Sequence, residues 1–163
     1  MIELEVKPQH EKFAKDQINA FKKIKEGKWR YTNVEAWRGI VCEILIAKWL
    51  NDNYEVEENA KGLDDTGIID DYDMKINGKK IEIKSATKNY FQYIMPKIHD
   101  IQDKPKDFYI GAKFNETVKP NIVQLIGFIE PNQIKRFPIK QNKGAPYYEV
   151  PLNALIPIKD FTL

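Results

Sequence analysis

Asp73, Glu82 and Lys84 are spaced so that one tight hairpin can gather them. The segment Asp71-Tyr72-Asp73-Met74-Lys75-Ile76-Asn77-Gly78-Lys79-Lys80-Ile81-Glu82-Ile83-Lys84 has Asn77-Gly78 at its centre. That dipeptide is favoured in a type I′ turn, where both central residues take positive φ. Such a turn sets the register: Ile76 faces Lys79, Met74 faces Ile81, Asp73 faces Glu82, Tyr72 faces Ile83 and Asp71 faces Lys84. Strand side chains alternate, so Tyr72, Met74, Ile76, Ile81 and Ile83 share an apolar face. Asp71, Asp73, Lys75, Lys80, Glu82 and Lys84 share the other. Opposed residues hold their Cβ atoms about 4.5–5.5 Å apart, where like charges repel. Asp73 against Glu82 is therefore unfavourable unless something positive lies between them. Two readings follow. In one, the polar face is solvated and Lys75, Lys80 and Lys84 relieve the mismatch. In the other, the pair binds a hard cation such as Mg²⁺, which takes one or two protein carboxylates at about 2.0–2.1 Å and keeps several waters. A lysine on the same face then orients a water and stabilises charge developing on a phosphate.

A helix must bring the next carboxylate. Thr32-Asn33-Val34-Glu35 has the form of a capping box, and the run from Ala36 to Leu50 is apolar almost all round. Glu43 interrupts its middle. A carboxylate there costs several kcal/mol unless it is paired or reaches a polar cleft. It either meets a lysine or arginine inside the fold or points to a site. Glu35 lies near the same face at the helix start, where capping is its simplest role.

These residues resemble the PD-(D/E)xK, or restriction-endonuclease-like, nuclease superfamily. Asp73 followed across a hairpin by Glu82-Ile83-Lys84 matches its motif, although Tyr72 stands where the naming proline belongs. The resemblance implies an α/β fold with a central mixed β-sheet flanked by helices in αβββαβ order, carried by residues from about 32 to 130. It also implies an Mg²⁺-dependent endonuclease, with Mn²⁺ able to substitute, that hydrolyses phosphodiester bonds in DNA, with double-stranded DNA the expected partner. Asp73, Glu82 and the Ile83 backbone carbonyl then ligate the metal, Glu43 completes the acidic cluster and Lys84 contacts the attacking water or a phosphate oxygen. Asp71 and Glu35 are secondary candidates. Family members often act as homodimers, so that two sites cut two strands. A catalytically silent nucleic-acid-binding or assembly subunit of the same fold is the alternative, and an α/β interaction module is a third reading.

Composition limits what else the chain can be. Its 163 residues suffice for one domain with a real core, with an N-terminal helical extension over about 1–31 and a C-terminal extension over about 131–163. No run of 18 apolar residues or signal-like segment occurs, so the expectation is no membrane contact and a cytoplasmic location. Cys42, the single cysteine, reads as a small core residue. His10 and His99 are too few for a structural zinc site, and no Gly-rich phosphate loop supports nucleotide hydrolysis. The net charge of +2 is unevenly spread: lysines crowd the first thirty residues, whereas residues 52–73 are acidic with Lys61 alone opposing them. The N-terminal lysines read first as a solvated helix face. A polyanion approaching the acidic stretch needs a cation to neutralise it, which predicts cooperative binding of metal and substrate.

Hydropathy and turn residues predict a helix from Pro8 to Glu26, with Phe13, Ile18, Phe21 and Ile24 inward and Gly27 stopping it, then a second helix from Asn33 to Leu50. Strands are expected at Tyr54–Glu58, Phe108–Phe114, Ile122–Ile129 and Tyr147–Val150. Asn59–Asp70 reads as a loop at the mouth of the site, and Asn89–Ile101 as a helix kinked or broken at Pro96. Directly after the hairpin, Lys88, Tyr90, Gln92 and Tyr93 are candidates for nucleic-acid contact, through phosphate pairing or base stacking. Their aromatic rings, with Phe91, serve equally well to cover a sheet edge. Lys135 and Arg136 are a further candidate phosphate contact.

Overall fold

A computed structural model describes residues 1–24, 36–59 and 73–163. In chain order the described elements are β1 (Ile2–Glu5), α1 (Pro8–Ile24), α2 (Trp37–Asn53), β2 (Val56–Asn59), β3 (Met74–Ile76), β4 (Lys79–Ala86), β5 (Tyr93–Ile94), α3 (Ile98–Asp103), β6 (Phe108–Asn115), β7 (Ile122–Ile129) and α4 (Pro131–Ile134). The short strands β8 (Ile139–Lys140), β9 (Tyr147–Tyr148), β10 (Val150–Pro151) and β11 (Ile156–Pro157) follow. This is a mixed α/β fold. Its main sheet runs β1-β7-β6-β4-β3-β2, and β11 shares with β1 the outer edge of β7. Every pair in it is antiparallel except β4 with β6, which the crossover through β5 and α3 makes parallel.

From Ile76 to Met74 the hairpin has the expected register, while the pairs expected for Tyr72 and Asp71 lie outside the described residues. Asn77 and Gly78 take φ of 48° and 73°, and Ile76 pairs with Lys79, Lys75 with Lys80 and Met74 with Ile81. Lys75 and Lys80 thus place like charges across the ladder. Met74, Ile76, Ile81 and Ile83 enter one core cluster, together with Ile110, Ala112, Phe114 and Leu125 of the neighbouring strands. Over that face lie Ala14 and Ile18 of α1 and the apolar side of α2, from Ile40 to Leu50. The opposite face carries a second cluster built from Ala86, Ile94, Ile101, Tyr109, Ile129 and Tyr148. β6 sits between the two, which is why it is buried along nearly its whole length, Lys113 included.

Several expectations are corrected. Phe13 does not face inward: it is 53% exposed, and Ala14 and Ile18, four apart, supply the buried stripe of α1. No helix spans Asn89–Ile101. Pro96 lacks an N–H and restricts the residue before it, so the chain forms β5, bends, and begins α3 only at Ile98. The first strand is displaced to Val56–Asn59, and α2 runs on to Asn53. The N-terminal Ile2–Glu5 is a strand that the sequence reading left unassigned. The Thr32–Glu35 capping box, Gly27, the side chains of Phe21 and Ile24, Tyr72 and the 60–70 loop lie outside the described residues. Among the described residues, no helix is long and apolar enough to cross a membrane.

Candidate functional site

Asp73 stands where β3 ends beside β4. Its backbone N–H donates to the Ile81 carbonyl at 2.9 Å, and its Oδ2 accepts the Ile83 N–H at 2.6 Å. The carboxylate thus extends the strand pairing through a side chain, which fixes it against β4. The N–H and C=O of one strand residue point to the same edge. The Ile83 carbonyl therefore faces the edge that Asp73 occupies.

Glu82 and Lys84, two apart on β4, emerge on the same face. The Lys84 ammonium donates to Glu82 Oε1 at 2.5 Å, with the side chains only 25% and 20% exposed. Glu43 arrives from the other side of the sheet. Helix α2 crosses β4 at Ser85, where a Cβ added to Gly39 would stand 3.9 Å from the serine hydroxyl. One turn further on, the half-buried Glu43 lies near enough for its charge to act on Asp73. Burial first, then the charges of Glu43 and Glu82, push the Asp73 carboxyl well above the usual carboxylate range. The Ile83 N–H and Lys84 offset this only in part. For Lys84, burial pushes the ammonium down, but Glu82, Asp73 and Asp100 outweigh it and hold the group above its ordinary value. Lys84 is therefore a fixed cation near neutral pH. Cys42, buried and hydrogen-bonded to Ser85, has its thiol pushed up to about 12 by burial and is inert packing.

The structure thus brings Glu43, Asp73, Ile83, Glu82 and Lys84 to one end of the sheet. Glu35 and Asp71 lie outside the described residues. Among the described residues, no three acidic, histidine or cysteine side chains converge as a closed metal cage. What is present is an open pair, Asp73 and Glu82. Each has one carboxylate oxygen engaged as described and a second oxygen besides, and Lys84 relieves the like-charge repulsion of the pair only in part. That donor set fits a hydrated hard cation, which draws only one or two carboxylates from the protein.

The candidate nucleic-acid residues lie on the segment that continues from β4. Tyr90 is 72% exposed, with Lys88 Nζ 5.8 Å from its ring centroid and 5.7 Å from that of Phe91. Tyr90 and Phe91 meet edge to face at 4.8 Å, and Phe91 tilts against the half-buried Tyr93 at 5.2 Å. Gln92 is exposed. The segment therefore combines an exposed ring, Tyr90, with Phe91 and Tyr93 packed on one another.

Three contributors escaped sequence reasoning. Asp100, in the first turn of α3, adds its negative charge to the field around Lys84. Tyr109 pairs in register with Glu82 across the parallel β4–β6 ladder, and its buried hydroxyl accepts the Lys106 N–H at 3.3 Å; burial pushes it up to about 12. Lys113 donates from Nζ to the carbonyls of Lys88 at 3.0 Å, Asn89 at 2.8 Å and Phe91, pinning the aromatic segment from beneath. A single lysine in an otherwise apolar strand was the available signal for Lys113. The other two depend on which strands pair, which no local pattern states.

Comparison with protein-family models and with curated proteins found no match.

Proposed function

We propose that this chain is a divalent-cation-dependent nuclease with a restriction-endonuclease-like core, hydrolysing phosphodiester bonds in DNA. The observation that carries the reading is the Asp73 carboxylate, anchored on the Ile83 N–H at 2.6 Å amid the charges of Glu43, Glu82 and Lys84. The order helix α2, strands β2, β3 and β4, helix α3, strand β6, with β6 parallel to β4 and the short β5 between β4 and α3 standing outside the main sheet, supports the fold assignment.

Each residue has a distinct part. Asp73, Glu82 and the Ile83 carbonyl would hold Mg²⁺ or Mn²⁺, with Glu43 adding negative charge behind Asp73. The bound cation supplies neutralisation of the phosphate and acidification of a coordinated water. Lys84, protonated and held by Glu82, donates to a phosphate oxygen and stabilises the charge that builds in the transition state. As a cation it is a donor, not the general base. Glu82 above all, then Asp73 and Asp100, favour the charged ammonium.

The test is cleavage of end-labelled DNA in Mg²⁺ by wild type and Lys84→Ala. Losing one preorganised donor of this kind costs about 10²–10³-fold in rate. Equal rates for the two proteins contradict the proposal. DNA binding without Mg²⁺-dependent cleavage moves the chain to a silent binding subunit of the same fold.

A further inference from the structure

Beside the catalytic strand, on the face that carries Glu82 and Lys84, lies a groove of about 660 Å³ that the hydrolytic reading does not use. Its size falls within the roughly 300–1,000 Å³ range of ligand sites. Five amide side chains line it: Asn89, Gln92, Asn115, Gln124 and Asn153. Ile126, Pro151 and Leu152 supply apolar wall, and among the described residues no carboxylate lines it. Its one cation, Lys113, is committed to backbone carbonyls and holds the wall in place instead of reaching for a phosphate.

Register locates this groove relative to the reacting centre. Lys84 pairs with Gly111 and Ala86 with Lys113 on the parallel β6, and Lys113 pairs with Gln124 on β7. Two residues along and one strand across places the groove floor about 8 Å from Lys84 at the Cα level. A stacked nucleic-acid strand advances about 3.4 Å per nucleotide, so a strand whose phosphate meets Lys84 reaches the groove within two or three nucleotides.

Asn115 Oδ1 is taken by the Thr117 N–H at 2.9 Å and hydroxyl at 2.6 Å, but three of the other amides make only long contacts. Asn89 Nδ2 meets Glu116 at 3.5 Å, Gln92 Nε2 meets the Asn89 carbonyl at 3.4 Å and Gln124 Nε2 meets Glu3 at 3.4 Å. All three are longer than the usual N–H···O separation of about 2.9–3.0 Å, so exchanging them for a ligand loses little. Amides offer a donor and an acceptor side by side, a match for the Watson–Crick edge of a nucleobase. In continuous duplex that edge is occupied by the partner strand. Only an unpaired base can present it to this half-open groove, with its flat faces against apolar walls. The exposed Tyr90 ring, with Lys88 beside it, offers a stacking surface to a neighbouring base.

Resting on the nucleic-acid reading above, we infer that this groove receives one unpaired nucleobase two or three nucleotides from the scissile phosphate. The preferred substrate is then a strand with an unpaired nucleotide, single-stranded or flanking a duplex, and not continuous duplex.

The test is fluorescence anisotropy in Ca²⁺, a hard cation that neutralises the acidic side chains, with probes checked intact on a denaturing gel so that binding is read without hydrolysis. Three labelled probes are compared: a matched duplex, the same duplex with one unpaired nucleotide, and a single strand. The unpaired-nucleotide probes should bind at least about tenfold tighter than the matched duplex, the value of one good base-edge contact. Gln92→Ala with Asn153→Ala should erase that preference, and Gln92→Glu, which keeps the side-chain shape, should erase it by charge. Equal or tighter binding of matched duplex, or a preference that survives these substitutions in folded protein, overturns the inference. Full competition by free mononucleotide at equal concentration also overturns it, because the groove is then a small-molecule site. A preference without Mg²⁺-dependent cleavage upholds the groove and sinks the nuclease reading. Cleavage of matched duplex with no preference does the reverse.

Discussion

Asp73 is held in a conflict that its neighbours create. Its carboxyl is raised by burial and by Glu43 and Glu82, so across the pH range between its unfolded value of 3.8 and its raised folded value the native state binds more protons than the unfolded state. Stability must then fall as pH rises through that window and recover as pH drops back toward 3.8. Asp73→Asn keeps an oxygen for the Ile83 N–H and removes the charge. Urea unfolding between pH 4 and 8 should show the variant more stable than wild type at neutral pH and with a flatter pH profile; a less stable variant contradicts the electrostatic account. The same substitution should abolish Mg²⁺-dependent cleavage, since it removes a proposed ligand. Lys113 carries a different role. Lys113→Met strands three carbonyls of the aromatic segment, and a buried group left without its partner costs about 1–3 kcal/mol. Denaturant melts should register that loss, with amide exchange rising first at residues 88–91.

Local chemistry made the hairpin legible, because Asn77-Gly78 sets a two-residue turn and alternation sets the faces, so the pairing from Ile76 to Met74 followed directly. Glu43 was legible for a different reason: a charge inside an apolar helix requires an explanation wherever the helix packs. Nothing local announced that β6 pairs in parallel with β4, and so Tyr109, Lys113 and Asp100 could not be placed beside the motif from spacing. Ile2–Glu5 escaped because four alternating residues are too short to read alone and their partner strand begins at Ile122, far along the chain. The kink expected at Pro96 was right in cause but not in consequence, since the chain there becomes a two-residue strand and a short helix. At the far edge, Gly111 and Gly127 face each other so that Leu155 and Ile156 can lie on the sheet. A Cβ on Gly127 would stand 2.1 Å from the Ile156 carbonyl oxygen. Gly127→Ala should therefore displace β11 and destabilise the protein by about 1–3 kcal/mol, as overpacking does, readable as a lowered melting temperature.

For the molecule as a whole, two apolar cores clamp a sheet whose β3–β4 end collects acidic side chains and one lysine. Burial holds these like charges together at a cost, which a divalent cation would relieve. Mg²⁺ binding and folding stability are consequently linked: added Mg²⁺ should raise the melting temperature of wild type and leave that of Glu82→Ala unchanged. The measurement that bears most directly on the central claim is DNA cleavage by purified wild type, Glu82→Ala and Lys84→Ala, with Mg²⁺ and with EDTA, over duplex, single-stranded and branched DNA. The account predicts product from wild type in Mg²⁺ only, on at least one of these substrates, with both variants folded and inactive. The same background from all three proteins on every substrate would contradict it.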